Sequence, residues 1–82
     1  MFEVRVTVGL KKGISDPEGT NTLKALRLLG FSKVESVKTT RTFDLFINER
    51  DEKTVINKVN EMCQRLLINP VIHDYNIDIR KK

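Results

Sequence analysis

The chain has 82 residues, 39% of them hydrophobic and 32% charged, with 15 Lys and Arg against 11 Asp and Glu for a formal net charge of +4. So short a chain reads as a single domain spanning 1–82, whose core supplies roughly 3–5 kcal/mol unless disulfides, a metal or a partner chain add to it. One cysteine, Cys63, and one histidine, His73, exclude an internal disulfide and a closed Cys/His zinc site, so association is the remaining support.

Phe2, Val4, Val6, Val8 and Leu10 alternate with Glu3, Arg5, Thr7 and Gly9, the period of a strand with one buried face. Lys11-Lys12-Gly13 breaks the pattern. Asp16-Pro17 then opens a helix: Asp16 caps the free amides, and Pro17 has no amide to lose at the first position. Leu23, Leu26 and Leu29 supply the apolar stripe, and Gly30 ends the helix in a left-handed conformation with Phe31 folded back toward Leu26. Val37, Phe43, Leu45 and Ile47 share one parity while Val34 has the other, which predicts a long strand bent near Ser36. Phe46 faces away from Phe43 and Leu45, so both faces of that strand are expected to be covered.

Asp51 caps a second helix, with Val55, Val59, Met62 and Leu66 as its stripe and Ile56, Cys63 and Leu67 widening it. Asn69-Pro70 ends it. The last strand carries Val71, His73, Tyr75, Ile77 and Ile79 on one face. The order β-α-β-α-β predicts an α+β, ferredoxin-like layer: a mostly antiparallel sheet with two helices on one face.

Three of the positive charges, on Arg80, Lys81 and Lys82, end the chain, and the other 79 residues hold 12 basic and 11 acidic groups. That balance reads as a solvated basic tail, not a phosphate-tracking stripe, and no nucleic-acid partner is expected. Short apolar runs and an N-terminus without an apolar signal region point to a cytoplasmic chain with no membrane partner. Cys63 lies within a helical apolar stripe, where a thiol acts as a small hydrophobe. His73 and Asp74 are strand neighbours and point to opposite faces, which argues against a relay between them. The glycine-flanked segment 13–19 lacks the Gly-Lys-Ser/Thr ending of a phosphate loop, and Asp16 and Glu18 already place negative charge at the helix start. No catalytic, cofactor-binding or metal-binding residue is therefore expected. The residues alone leave open a regulatory module that binds a small ligand and an RNA-binding domain.

Four stretches carry a resemblance: Val6-Thr7-Val8-Gly9-Leu10-Lys11-Lys12-Gly13 with Asp16-Pro17-Glu18-Gly19; Ala25-Leu26 through Leu29-Gly30; Glu61-Met62-Cys63-Gln64-Arg65-Leu66-Leu67; and Asn69-Pro70-Val71-Ile72-His73-Asp74-Tyr75. Together they resemble the PurS family, the small subunit of the multi-subunit phosphoribosylformylglycinamidine (FGAM) synthase of purine biosynthesis. The resemblance implies a PurS-like fold and a non-catalytic accessory subunit of an ATP-dependent ligase. In that complex a glutaminase, PurQ, releases ammonia and a ligase, PurL, consumes it. The small subunit binds both as a homodimer or tetramer and assists the ammonia transfer. ATP, Mg and glutamine belong to the complex, and none is held by this chain. By analogy the candidate partner contacts are Lys11, Lys12, Asp16, Pro17, Asn69, Pro70, His73, Asp74 and Tyr75; Phe46 and the open edges of a three-stranded sheet are the candidates for self-association, because an open edge invites strand pairing with another chain.

Overall fold

The computed structural model describes residues 1–81; Lys82, and with it the end of the expected basic tail, lies outside the described residues. The elements run β1 (Phe2–Leu10), α1 (Pro17–Leu28), β2 (Arg41–Ile47), α2 (Glu52–Met62), a π-helical turn (Cys63–Leu67) and β3 (His73–Lys81). Both edge strands pair antiparallel to β1, giving the sheet order β2-β1-β3. The alternation in β1 sets one parity inward. Val4 lies opposite Leu45 and Ile79, and Val6 opposite Phe43 and Ile77.

The core consists of Phe2, Val4, Val6 and Val8 of β1 under Val55, Val59 and Cys63. The helix therefore buries an i, i+4, i+8 line, and the expected stripe through Met62 and Leu66 is corrected. The π-helical turn shifts the face after Met62, which leaves Leu66 82% exposed. α1 contributes nothing to this core; its one buried residue is Gly19. Sheet width supplies the reason. Three strands about 4.8 Å apart carry one helix of about 10 Å diameter, and α2 already occupies that place.

The expected long middle strand is corrected as well. β2 begins only at Arg41, opposite Val8, because the Thr39 amide donates to Asp16 Oδ2 at 2.9 Å instead of joining the ladder. Residues 11–40 thus form an excursion between two neighbouring strands: α1 leads out and the extended segment 34–40 leads back. Arg27 Nη2 donates to the Val34 carbonyl at 3.2 Å, and Leu23, Leu26, Val34 and Val37 are half-buried between the two limbs. The helix ends as its sequence requires. Gly30 takes φ +99°, its amide donates to the Arg27 carbonyl at 3.1 Å, and the Phe31 amide to the Leu26 carbonyl at 3.0 Å. α1 is about 18 Å long and the strands about 30 Å, so the arm extends the molecule to 50 Å along its longest axis.

Two expectations near the end of the chain also change. Val71 lies in the turn before β3, exposed, not on the inner face of the strand. Arg80 and Lys81 are no free tail: they pair in the ladder with Glu3 and Phe2. The outer sheet face alternates in sign, with Arg5 opposite Asp44 and Asp78, and Glu3 opposite Arg80. Arg5 Nε donates to Asp44 Oδ1 at 2.9 Å. Phe46 is opposite Glu3 on this charged face and is 65% exposed, so this chain leaves its outer face uncovered there.

Candidate functional site

The pairing of Leu10 with His73 brings the segment after β1 against the turn before β3. Five of the residues singled out from the sequence meet at this end of the sheet: Lys11, Asp16, Asn69, His73 and Asp74. The Lys11 amide donates to the Ile72 carbonyl at 2.8 Å, and its ammonium stands 3.7 Å from Asp74 Oδ1. Both of those side chains are solvated, so the ion pair adds little. Asn69 closes its own turn. Its side chain accepts from the Val71 amide at 3.0 Å, and its carbonyl accepts from the amides of Ile72 and His73. The Asn69 amide donates to His73 Nδ1 at 2.9 Å, which fixes the ring and leaves Nε2 for another partner.

Asp16 does more than cap a helix. One carboxylate oxygen accepts from the Gly19 amide at 3.0 Å and the other from the Thr39 amide, so the residue ties together both limbs of the arm at its root. These bonds, that to Thr39 first, hold its carboxyl below the usual aspartate range. Between arm root and sheet end lies a cavity of about 420 Å³, lined in part by Asp16, Glu18, Thr39, Thr40, Arg41 and His73.

Lys12, Pro17 and Pro70 stand exposed on the flanks of this junction. Tyr75 turns away from it. Its hydroxyl donates to Asn60 Oδ1 at 2.8 Å and accepts from Gln64 Nε2 at 3.3 Å, tying β3 to α2. Sequence reasoning missed Glu18, Thr39, Thr40 and Arg41 as lining residues, because nothing local reveals that 34–40 returns past Asp16. It also missed Asn60 and Gln64, although two amides at i, i+4 beside the Val59–Cys63 line were a visible signal. Cys63 is fully buried, and burial pushes its thiol up. Among the described residues no three His, Cys, Asp or Glu side chains gather as a metal cluster.

Four carboxylates are held below their ordinary values: Asp16 by backbone amides, Asp44 by Arg5, Glu49 by Lys58 and Asp51 by Thr54. Their folded pKa values lie below the unfolded ones, so the unfolded chain binds more protons in acid. The stability they contribute is complete above the unfolded carboxylate range and is lost as pH falls through the folded one. A series of thermal melts is therefore expected to show Tm falling below about pH 4.5, less steeply in high salt because the Asp44–Arg5 and Glu49–Lys58 ion pairs are solvated. A Tm independent of pH between about 5 and 2 would contradict this.

Fold and junction together define a small α+β protein built on a three-stranded antiparallel sheet. Residues 3–81 match the family model PurS, described as phosphoribosylformylglycinamidine (FGAM) synthase. The phosphoribosylformylglycinamidine synthase subunit PurS of Methanocaldococcus jannaschii is 43% identical over 99% of this chain and 98% of its own length. Its crystal structure superposes with a TM-score of 0.92, covering 100% of this chain and 99% of the other. A chain in the structure of PurLQS from Thermotoga maritima, 22% identical, shares the fold with a TM-score of 0.88 over 96% of each chain. The chain belongs to the PurS family of phosphoribosylformylglycinamidine synthase subunits.

Proposed function

We propose that this chain is the non-catalytic bridging subunit of phosphoribosylformylglycinamidine synthase in purine biosynthesis. It holds PurQ, which releases ammonia from glutamine, against PurL, which uses that ammonia and ATP to convert formylglycinamide ribonucleotide to formylglycinamidine ribonucleotide. The observation that carries this reading is the end-to-end likeness to a PurS subunit, 43% identical over 99% of the chain. The occurrence of the Thermotoga maritima relative in a PurLQS structure supports the identity of the two partners.

The junction is the proposed contact surface, with Lys11, Lys12, Asp16, Pro17, Asn69, Pro70, His73 and Asp74 facing the other subunits. Tyr75 supports it from behind through α2. In this reading ATP, Mg and glutamine are bound by PurL and PurQ, this chain holds none of them, and the complex works in the cytoplasm. Reconstitution tests it. Leaving this chain out of a mixture with PurL and PurQ is expected to abolish glutamine-dependent synthesis while ammonia-dependent synthesis by PurL persists. Full glutamine-dependent activity without the chain would overturn the reading.

A further inference from the structure

The inner face of the sheet is apolar along most of its length, with Phe43, Leu45 and Ile47 on β2 and Ile77 and Ile79 on β3 packed against the core. At one end it changes character. Arg41 pairs with Val8 and His73 with Leu10, and cross-strand partners share a face. A guanidinium and an imidazole therefore stand on the side that buries Val8. The helical cover stops there: the π-helical turn ends at Leu67, and beyond it, up to the arm root, lies the cavity of about 420 Å³. That volume falls within the range of ligand pockets, about 300–1,000 Å³.

Two opposite charges line this cavity without pairing. The ion pairs among the described residues are Arg5–Asp44, Lys11–Asp74, Lys58–Glu49 and Arg65–Glu61, and none of them includes Arg41 or Glu18. Arg41 reaches the cavity from β2 and Glu18 from the first turn of α1. His73 adds a donor. Its Nδ1 accepts from the Asn69 amide, so in the neutral ring Nε2 carries the proton. Asp16 is fixed by the Gly19 and Thr39 amides, one on each oxygen, and each oxygen keeps a further lone pair. Between Arg41 on β2 and His73 on β3 runs β1, which floors the cavity with Val8 and Leu10, and Leu67 adds to that apolar lining.

We propose that this cavity binds a free α-amino acid with an apolar side chain. Its carboxylate meets Arg41 and His73 Nε2, its ammonium meets Glu18 and Asp16, and its side chain lies over Val8, Leu10 and Leu67. Separated charges of both signs over an apolar floor select this class. A phosphate would face two carboxylates and a polyamine would face Arg41, whereas a zwitterion matches both ends. Arg41 suits a carboxylate, which a guanidinium can hold through two parallel hydrogen bonds. The proposal goes beyond the synthase reading and needs neither partner subunit, so its failure would leave that reading standing.

Isothermal titration calorimetry of the full chain with L-leucine tests it, beside leucinamide, which lacks the carboxylate, and N-acetyl-leucine, which lacks the ammonium. L-leucine is expected to bind. Each analogue with the native chain, and L-leucine with Arg41→Gln or Glu18→Gln, is expected to bind about tenfold or more weakly, the loss of one charge-assisted contact. Both substituted positions are exposed, and circular dichroism checks that the variants fold. His73 is the sole histidine, so its ring signals in an NMR titration report whether the ligand seats at this end of the sheet. Absence of binding by L-leucine, L-methionine and L-valine alike would overturn the proposal. Equal binding of either analogue, or unchanged affinity in either variant, would overturn the pairing of the charges. Binding that leaves the His73 ring signals unmoved would overturn the site.

Discussion

Phe2→Ala is expected to leave the protomer unfolded, or nearly so, in dilute solution. Phe2 is 2% exposed and sits in β1, the one strand that pairs on both sides, opposite Ile47 and Lys81. Truncating a buried Phe to Ala costs about 3–5 kcal/mol, through lost transfer free energy and the cavity left behind. A core of this size supplies roughly the same amount. The rest of the fully buried core is Val4, Val6, Val8, Val55, Val59 and Cys63, all short side chains, with Leu45, Ile47, Leu67 and Ile79 packed against it from partly buried positions. Urea unfolding followed by circular dichroism reads the loss. The midpoint of the variant should rise with protein concentration, since association stabilises only the folded chain. A midpoint shift worth less than about 1 kcal/mol would mean that the core is not centred on β1.

The sheet was readable because its signal is local. Alternation from Phe2 to Leu10 and from Phe43 to Ile47 sets the inward parity, and no distant contact is needed to predict it. The caps were readable for the same reason: Asp16, Asp51 and Gly30 act within one turn of their own positions. What escaped depends on contacts distant in sequence. The fate of residues 34–40 is decided by a carboxylate more than twenty residues earlier, which takes the Thr39 amide out of the ladder. The exposed Leu66 reflects a change of helical register after Met62 that a fixed period of 3.6 does not foresee. The junction was half legible. Its members were named from the resemblance, but their meeting follows from the β1–β3 register, and the inward turn of Tyr75 follows from Asn60 and Gln64 on another element.

Gly19→Ala is expected to loosen the arm while leaving the sheet intact. On propensity alone the change should help, because alanine in a helix is favoured over glycine by about 1 kcal/mol. Space decides otherwise. A Cβ at position 19 would stand 2.5 Å from the Val37 carbonyl oxygen and 2.5 Å from Asp16 Oδ2, closer than real Cβ contacts allow. Neither neighbour yields cheaply. The first is backbone of the returning limb, and the second is fixed by the Gly19 and Thr39 amides that its carboxylate accepts. Overpacking of this kind costs about 1–3 kcal/mol, more than the propensity gain at the upper end and comparable at the lower, so the net effect is a destabilised arm root. The strain falls where α1 and 34–40 are joined and touches none of the core residues. Hydrogen exchange should therefore quicken at the Thr39 amide and through α1, while the β1 amides keep their protection. Unchanged exchange at Thr39 would show that the returning limb is held by something other than the Asp16–Thr39 bond.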